Sequence, residues 1–165
     1  MLLCWSACSP RFTRDRDSLK EVMEKIDTDK NHQYLSTLQP TLEDCKQIFL
    51  DEEEAGMAYV YAKDKFSKMD RLPDDAMKAP NPESRRVLLP ITKEELVKGG
   101  IFVGFSKEYP EFARKLRPGM RLFSVRYEDK EGKEEKTRAS FFRIKDKWVF
   151  IPRPFMAFIR EGKFD

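Results

Sequence analysis

Arg121-Leu-Phe-Ser-Val-Arg-Tyr127 is followed by the polar run Glu128-Asp-Lys-Glu-Gly-Lys-Glu-Glu135, then by Thr137-Arg-Ala-Ser-Phe-Phe142 and Trp148-Val-Phe-Ile151. The three apolar runs are short, rich in aromatic and β-branched residues, and alternate, which is the signature of strands with one face toward a core. Phe123, Val125 and Tyr127 share a face, while Met120 and Leu122 make the opposite face partly apolar. The polar run with one glycine has hairpin-loop chemistry, and Lys145-Asp-Lys147 makes a tight turn. Pro152 and Pro154 lack the N–H that a ladder needs and end the third run. A three-stranded antiparallel meander follows. Apolar residues on both of its faces make the outer face a candidate homodimer surface.

Working upstream, Pro110 at a first helical position, with Tyr109, Phe112, Ala113 and Leu116, predicts a short helix closed by Pro118-Gly119. Ile101-Phe-Val-Gly-Phe105 reads as a strand, and Thr92 with Glu95 as a capping box for one or two helical turns stopped by Gly99-Gly100. Val87 to Ile91 is apolar but contains Pro90, so it is assigned to a sheet edge. The segment from Arg71 to Arg86 holds three prolines and reads as a long loop, a candidate rim for any site.

The N-terminal half is helical. Ala55, Ala58, Tyr59, Ala62, Phe66 and Met69 hold a helical period behind Asp51 and Glu54. Leu42, Cys45, Ile48 and Phe49 form a buried stripe behind a Thr41 cap, with Asp44 at N3. Leu19, Val22, Met23 and Ile26 recur at i, i+3, i+4 and i+7 behind a Ser18/Glu21 capping box. Helices followed by a meander predict an α+β architecture in which N-terminal helices pack on a curved antiparallel sheet.

Composition excludes several classes. The chain has 165 residues, of which 40% are hydrophobic and 37% charged, values that suit one globular domain and neither a membrane span nor a disordered tail. Such a domain buries about 70% of its unfolded-chain surface. The 32 basic and 29 acidic residues leave a net charge of +3, interspersed in sign, which argues against nucleic acid as the main partner. The single histidine, His32, lies in a polar run, and Cys4-x3-Cys8 has no matching second pair, so no metal site or other cofactor is expected.

The start, Met1-Leu-Leu-Cys-Trp-Ser-Ala-Cys-Ser-Pro10, resembles the end of a bacterial lipoprotein signal: small residues directly before a cysteine that becomes lipidated. That resemblance implies Cys8 as the lipid attachment site and a lipid-anchored bacterial cell-envelope address, with a short cytoplasmic N-terminus as the alternative. Residues 1–16 are accordingly a signal-like or disordered segment, and residues 17–165 a single domain.

The order of elements, with the end strand Trp148-Val-Phe-Ile-Pro-Arg-Pro-Phe155, resembles the cystatin-like and nuclear-transport-factor-2-like cone folds over about residues 41 to 158. Cone-fold enzymes place Asp, His or Tyr inside the cone as acid and base, which the resemblance implies as one reading of this chain. No nucleophile elbow, phosphate-cradling glycine loop or His-Glu-x-x-His helix is present, and no catalytic residue is assigned. The favoured reading is non-catalytic binding of a partner protein or a small apolar ligand. Tyr59, Phe66, Phe105, Phe123, Phe141, Phe142 and Trp148 are candidates to line, or to fill, a cavity between helix and sheet. Arg153, Phe155, Met156 and Phe158 form a candidate partner surface if exposed, and a cap on the sheet's open end if packed.

Overall fold

A computed structural model describes residues 10–159. The predicted meander is present as β2 (Arg121–Glu128), β3 (Glu134–Ile144) and β4 (Lys147–Phe150). β1 (Arg85–Thr92) adds to its free side, giving one antiparallel sheet in the order β1-β2-β3-β4. Pro90 sits in this edge strand opposite Phe123, where its missing N–H takes no bond from a neighbouring strand. Between β2 and β3 the register shifts at Phe123/Ser124, so Ser140 is an extra residue between Ala139 and Phe141, a bulge that bends β3.

The helices are α1 (Pro10–Asp27), α2 (Gln33–Ser36), α3 (Leu42–Ile48), α4 (Glu52–Phe66), α5 (Lys93–Val97), α6 (Tyr109–Ala113) and α7 (Met156–Ile159). Their starts follow local chemistry. Thr41 Oγ1 accepts from the Asp44 N–H while the Asp44 carboxylate accepts from the Thr41 N–H, and Thr92 and Glu95 repeat the same box before α5. The Asp51 carboxylate accepts from the N–H groups of Glu53 and Glu54, satisfying donors that have no partner inside α4.

Helices cover both faces of the sheet. On one face Leu122, Phe142, Ile144 and Val149 pack with Ile48, Phe49, Ala58, Phe112 and Phe158 from α3, α4, α6 and α7. On the other, Phe123, Val125, Tyr127, Phe141, Trp148 and Phe150 pack with Phe12, Leu19, Val22, Met23 and Ile26 of α1 and with Leu35, Phe66, Met69 and Met77. Each fully buried side chain of this size contributes about 1.5–3 kcal/mol. Both apolar faces of the meander, including the outer one that suggested a homodimer, are therefore covered by the chain's own helices.

Four further expectations change. Helix α1 begins at Pro10, so Phe12 and Asp15, read as part of the segment 1–16, are buried in the domain. Ser18 is not a cap: its hydroxyl accepts from the Trp148 indole N–H at 3.0 Å. Residues 101–105 form turns with a single Phe102–Phe105 bridge in place of a strand, because Gly104 takes the left-handed φ of 84° that an extended run excludes. Leu42 is 41% exposed and lies off the buried stripe of α3.

Candidate functional site

β4 pairs with only the C-terminal part of β3, Phe141 to Ile144, and the edge of β3 before it is left without a strand. The predicted loop after α4 crosses this gap and is tied to it by two cations. The Arg138 guanidinium donates to the Ala76 carbonyl at 3.0 and 3.2 Å, and the Lys136 ammonium donates to the carbonyls of Lys78 and Asp75 at 2.9 and 3.2 Å. Tyr127 reaches the same loop from the sheet, its hydroxyl donating to the Met77 carbonyl at 3.2 Å.

Between this loop, β3, the segment from Gly104 to Tyr109 and the segment from Pro152 to Phe155 lies a cleft of about 870 Å³. Its apolar lining comes from Leu72, Met77, Phe105, Tyr109, Phe150 and Phe155, and its charged lining from Lys65, Lys68, Arg138, Arg153, Glu108 and Glu134. The long loop is thus a rim, as its composition suggests. Gly104 fixes the opposite wall: a Cβ there would stand 2.7 Å from Ser124 Oγ and 2.9 Å from Leu89 Cδ1, so only glycine lets the 101–105 turn lie against the sheet.

The cations differ in how they are neutralised. Lys65 and Lys68 both pair with Asp64. Among the described residues, Arg138 has no carboxylate within ion-pair distance, and its bonds go to the carbonyls of Ala76 and Thr137. Burial lowers its pKa, the sign of a charge held away from water, and burial followed by the Arg138 charge lowers that of Lys136. Arg153, also without an ion-pair partner among the described residues, is exposed at the mouth in the left-handed conformation, φ 47°.

Proton-transfer chemistry is poorly served. Tyr109 and Ser140 share a 2.5 Å hydrogen bond at the cleft wall, yet burial pushes the Tyr109 phenol well above its usual value and Ser140 only lowers it in part. A phenol so raised is poorly matched to acid–base work near neutral pH. Glu108 is held below the usual carboxylate range, chiefly by a hydrogen bond from Ser106, which weakens it as a base. Among the described residues no group of His, Cys, Asp and Glu is arranged to hold a metal ion.

The expected site residues are distributed as follows. Phe66, Phe123, Phe141 and Trp148 meet in the α1-facing core, where Trp148 packs edge-on to Phe123 at 5.3 Å and Phe141 stacks on Phe150 at 4.6 Å. These expected residues fill the space, and none of them lines the cleft. Tyr59 lies on the opposite side of the sheet, beside the other core, so the five do not form one site. Phe142 is in that second core too, while Phe105 lines the cleft. Phe155 and Phe158 are buried and Met156 is partly covered; the packed arrangement is the observed one, leaving Arg153 exposed. Phe155 and Arg153 nevertheless belong to the cleft. Cys8 lies outside the described residues. Cys45 is fully buried, and burial, helped by the Asp44 charge, pushes its thiol up to about 12, as befits a small core residue.

Sequence reasoning missed Arg138, Tyr109 and Glu108 as cleft residues. One signal for Arg138 was present: it alternates with Thr137 and Ala139 in a strand whose hairpin partner supplies no acid opposite it. No described helix is long and apolar enough to cross a membrane.

No protein-family model, curated protein or solved structure matches this chain. The site is therefore read from its own geometry.

Proposed function

We propose that the protein is a non-catalytic binding module whose cleft takes a small apolar ligand bearing one anionic group. One observation carries this reading. A cleft with an apolar, aromatic floor holds a partly buried guanidinium, Arg138, whose hydrogen-bond partners among the described residues are neutral carbonyls, with a second guanidinium, Arg153, at its mouth that has no ion-pair partner among the described residues. Apolar pockets with a few convergent polar groups are the usual form of small-molecule sites, and guanidinium groups favour carboxylate, sulfonate or phosphate partners. Glu108 and Glu134, on the same lining, disfavour ligands with several negative charges.

The test uses two fluorescent naphthalenes that share an aromatic body. Anilinonaphthalene sulfonate carries the anion and N-phenyl-1-naphthylamine lacks it. A charge-assisted bond of about 1.5–3 kcal/mol predicts roughly tenfold to hundredfold tighter binding of the sulfonate. Arg153→Gln should narrow that difference while leaving the thermal unfolding curve in place, since Arg153 is exposed and makes no ion pair among the described residues. Equal affinity for the two probes, or no saturable binding of either, would overturn the reading.

A further inference from the structure

A second groove, of about 810 Å³, runs along the outer edge of β1. Its floor is the strand itself, from Arg85 to Ile91. One wall is the face of α1 carrying Arg16, Asp17 and Lys20, and the other is the turn Ile101 to Val103 with Phe105. The two walls stand on opposite faces of the sheet: Leu88 packs with the α1-facing core, whereas the Leu89 methyl abuts Gly104 of the turn. Ile101 and Val103 are the most exposed apolar side chains on that turn, at 101% and 56%.

Among the described residues, the backbone on the floor is unpaired in a definable pattern. The Lys93 N–H donates to the Met120 carbonyl at 2.9 Å, one step beyond the Thr92–Arg121 pair. Antiparallel pairs alternate between bonded and non-bonded, so Val87, Leu89 and Ile91 direct their N–H and C=O groups to β2. Arg86, Leu88 and Pro90 direct theirs outward into the groove. Pro90 has no N–H to leave unpaired, so the open row consists of two N–H groups and three carbonyls.

We infer that this groove docks an extended segment of a partner protein in which acidic and apolar residues alternate, added to the sheet as a fifth strand. Backbone bonds to an open edge supply affinity and the walls supply specificity through alternate side chains. Residues of the docked strand that face the turn meet Ile101 and Val103, which calls for apolar side chains. Those that face α1 meet Arg16 and Lys20. Neither has a carboxylate partner among the described residues, and Arg16 Nε is buried without any hydrogen bond. Asp17 is the one acid on that wall; Glu95 also lines the groove, but its carboxylate is engaged in the cap of α5, accepting from the Thr92 N–H and hydroxyl at 2.8 and 2.9 Å, and Arg85 and Arg86 are already paired with Glu128 and Asp27. The unmatched charge facing the strand is positive, so its partner side chains are Asp or Glu.

The probe is a short acetylated peptide of alternating valine and aspartate, compared with the same peptide carrying lysine for aspartate. The aspartate form should bind about tenfold or more tightly, and Arg16→Glu should reverse the preference. Methylating the backbone nitrogens of one alternate set in the peptide should abolish binding and methylating the other set should not, because only one set faces the edge. Exchange of the Leu88 amide hydrogen should slow in the complex. Equal binding of the two peptides, equal effects of the two methylation patterns, or an unchanged Leu88 amide would each overturn the inference.

Discussion

Asp15 is the test of how α1 is held. It lies on the inner face of the helix with a side chain 5% exposed, 2.5 Å from Arg121 and 3.5 Å from Arg143, whose own side chains are 13% and 8% exposed. Replacing it by alanine leaves two guanidinium groups in the interface between helix and sheet with their shared anion gone. Breaking a buried ion pair from one side costs about 3–5 kcal/mol, against about 1 kcal/mol or less for a solvated pair. Arg143 keeps partial compensation from the Trp148 ring at 5.1 Å and from Asp146 at 4.0 Å; Arg121 has no second acid among the described residues. The lower end, about 3 kcal/mol, is therefore the expected loss for Asp15→Ala. In a chain of this size each kcal/mol moves the midpoint by about 2–4 °C, so Tm should fall by about 6–12 °C. Urea unfolding followed by tryptophan fluorescence, with the denaturant slope unchanged, gives the free energy directly. A loss below about 1 kcal/mol would refute the reasoning, because it would class Asp15 with solvated surface pairs.

Phe12→Ala should cost about 3 kcal/mol by the same measurement, since Phe12 is 5% exposed and packs edge-on to Phe123 at 6.1 Å; a neutral outcome would detach the first turns of α1 from the core. Gly104→Ala combines a left-handed backbone with contacts under 3 Å and should cost about 2–4 kcal/mol while lowering affinity in the cleft, read by urea unfolding and sulfonate-probe titration. Cys45, with its thiol pushed up to about 12, should resist thiol reagents at pH 8 until the chain unfolds. Because the unfolded thiol ionises near about 8.5, its contribution to stability is full below that pH and is lost as pH rises toward the folded value; Cys45→Ala should flatten that alkaline slope. Burial raises the Asp44 carboxyl, but Lys147 and Thr41 together outweigh it and hold it below the usual range. The stability this supplies is present above about pH 3.9 and is lost as pH falls through the folded value, so Asp44→Asn should flatten the acid limb of a stability profile.

Much of the fold was legible because short-range chemistry and tertiary packing agree. Thr41, Asp51 and Thr92 cap helices where their spacing to Asp44, Glu54 and Glu95 says they should, and the alternation from Arg121 to Ile151 becomes the meander. What was not legible depends on partners far away in the chain. Residues 10–17 are mostly polar, and Asp15 reads as a solvated residue until Arg121 and Arg143 are brought to it. For the same reason Phe123 and Phe141 read as candidates to line a cavity, when in the fold they fill the α1-facing core. The run 101–105 alternates like a strand, but Gly104 is chosen for a close approach to Ser124 and Leu89. The cleft was the least legible part, because it is made where β4 stops short of the start of β3, a mismatch of lengths that no local pattern encodes. Its loop read as a solvated connector first and as a candidate rim second, and its charged lining was not foreseen.

The separation in sequence between α1 and its supports has a consequence for synthesis. Trp148 and Ser18 are 130 positions apart, and Asp15 and Arg121 are 106 apart. At about 5–20 residues per second, the helix waits roughly 6 to 26 s on the ribosome before the last strand that buries it exists. Through that interval Leu19, Val22, Met23 and Ile26 have no sheet to cover them. Of the described elements, the one made earliest is completed last, and holdase chaperones should engage the nascent chain through α1 in preference to the meander.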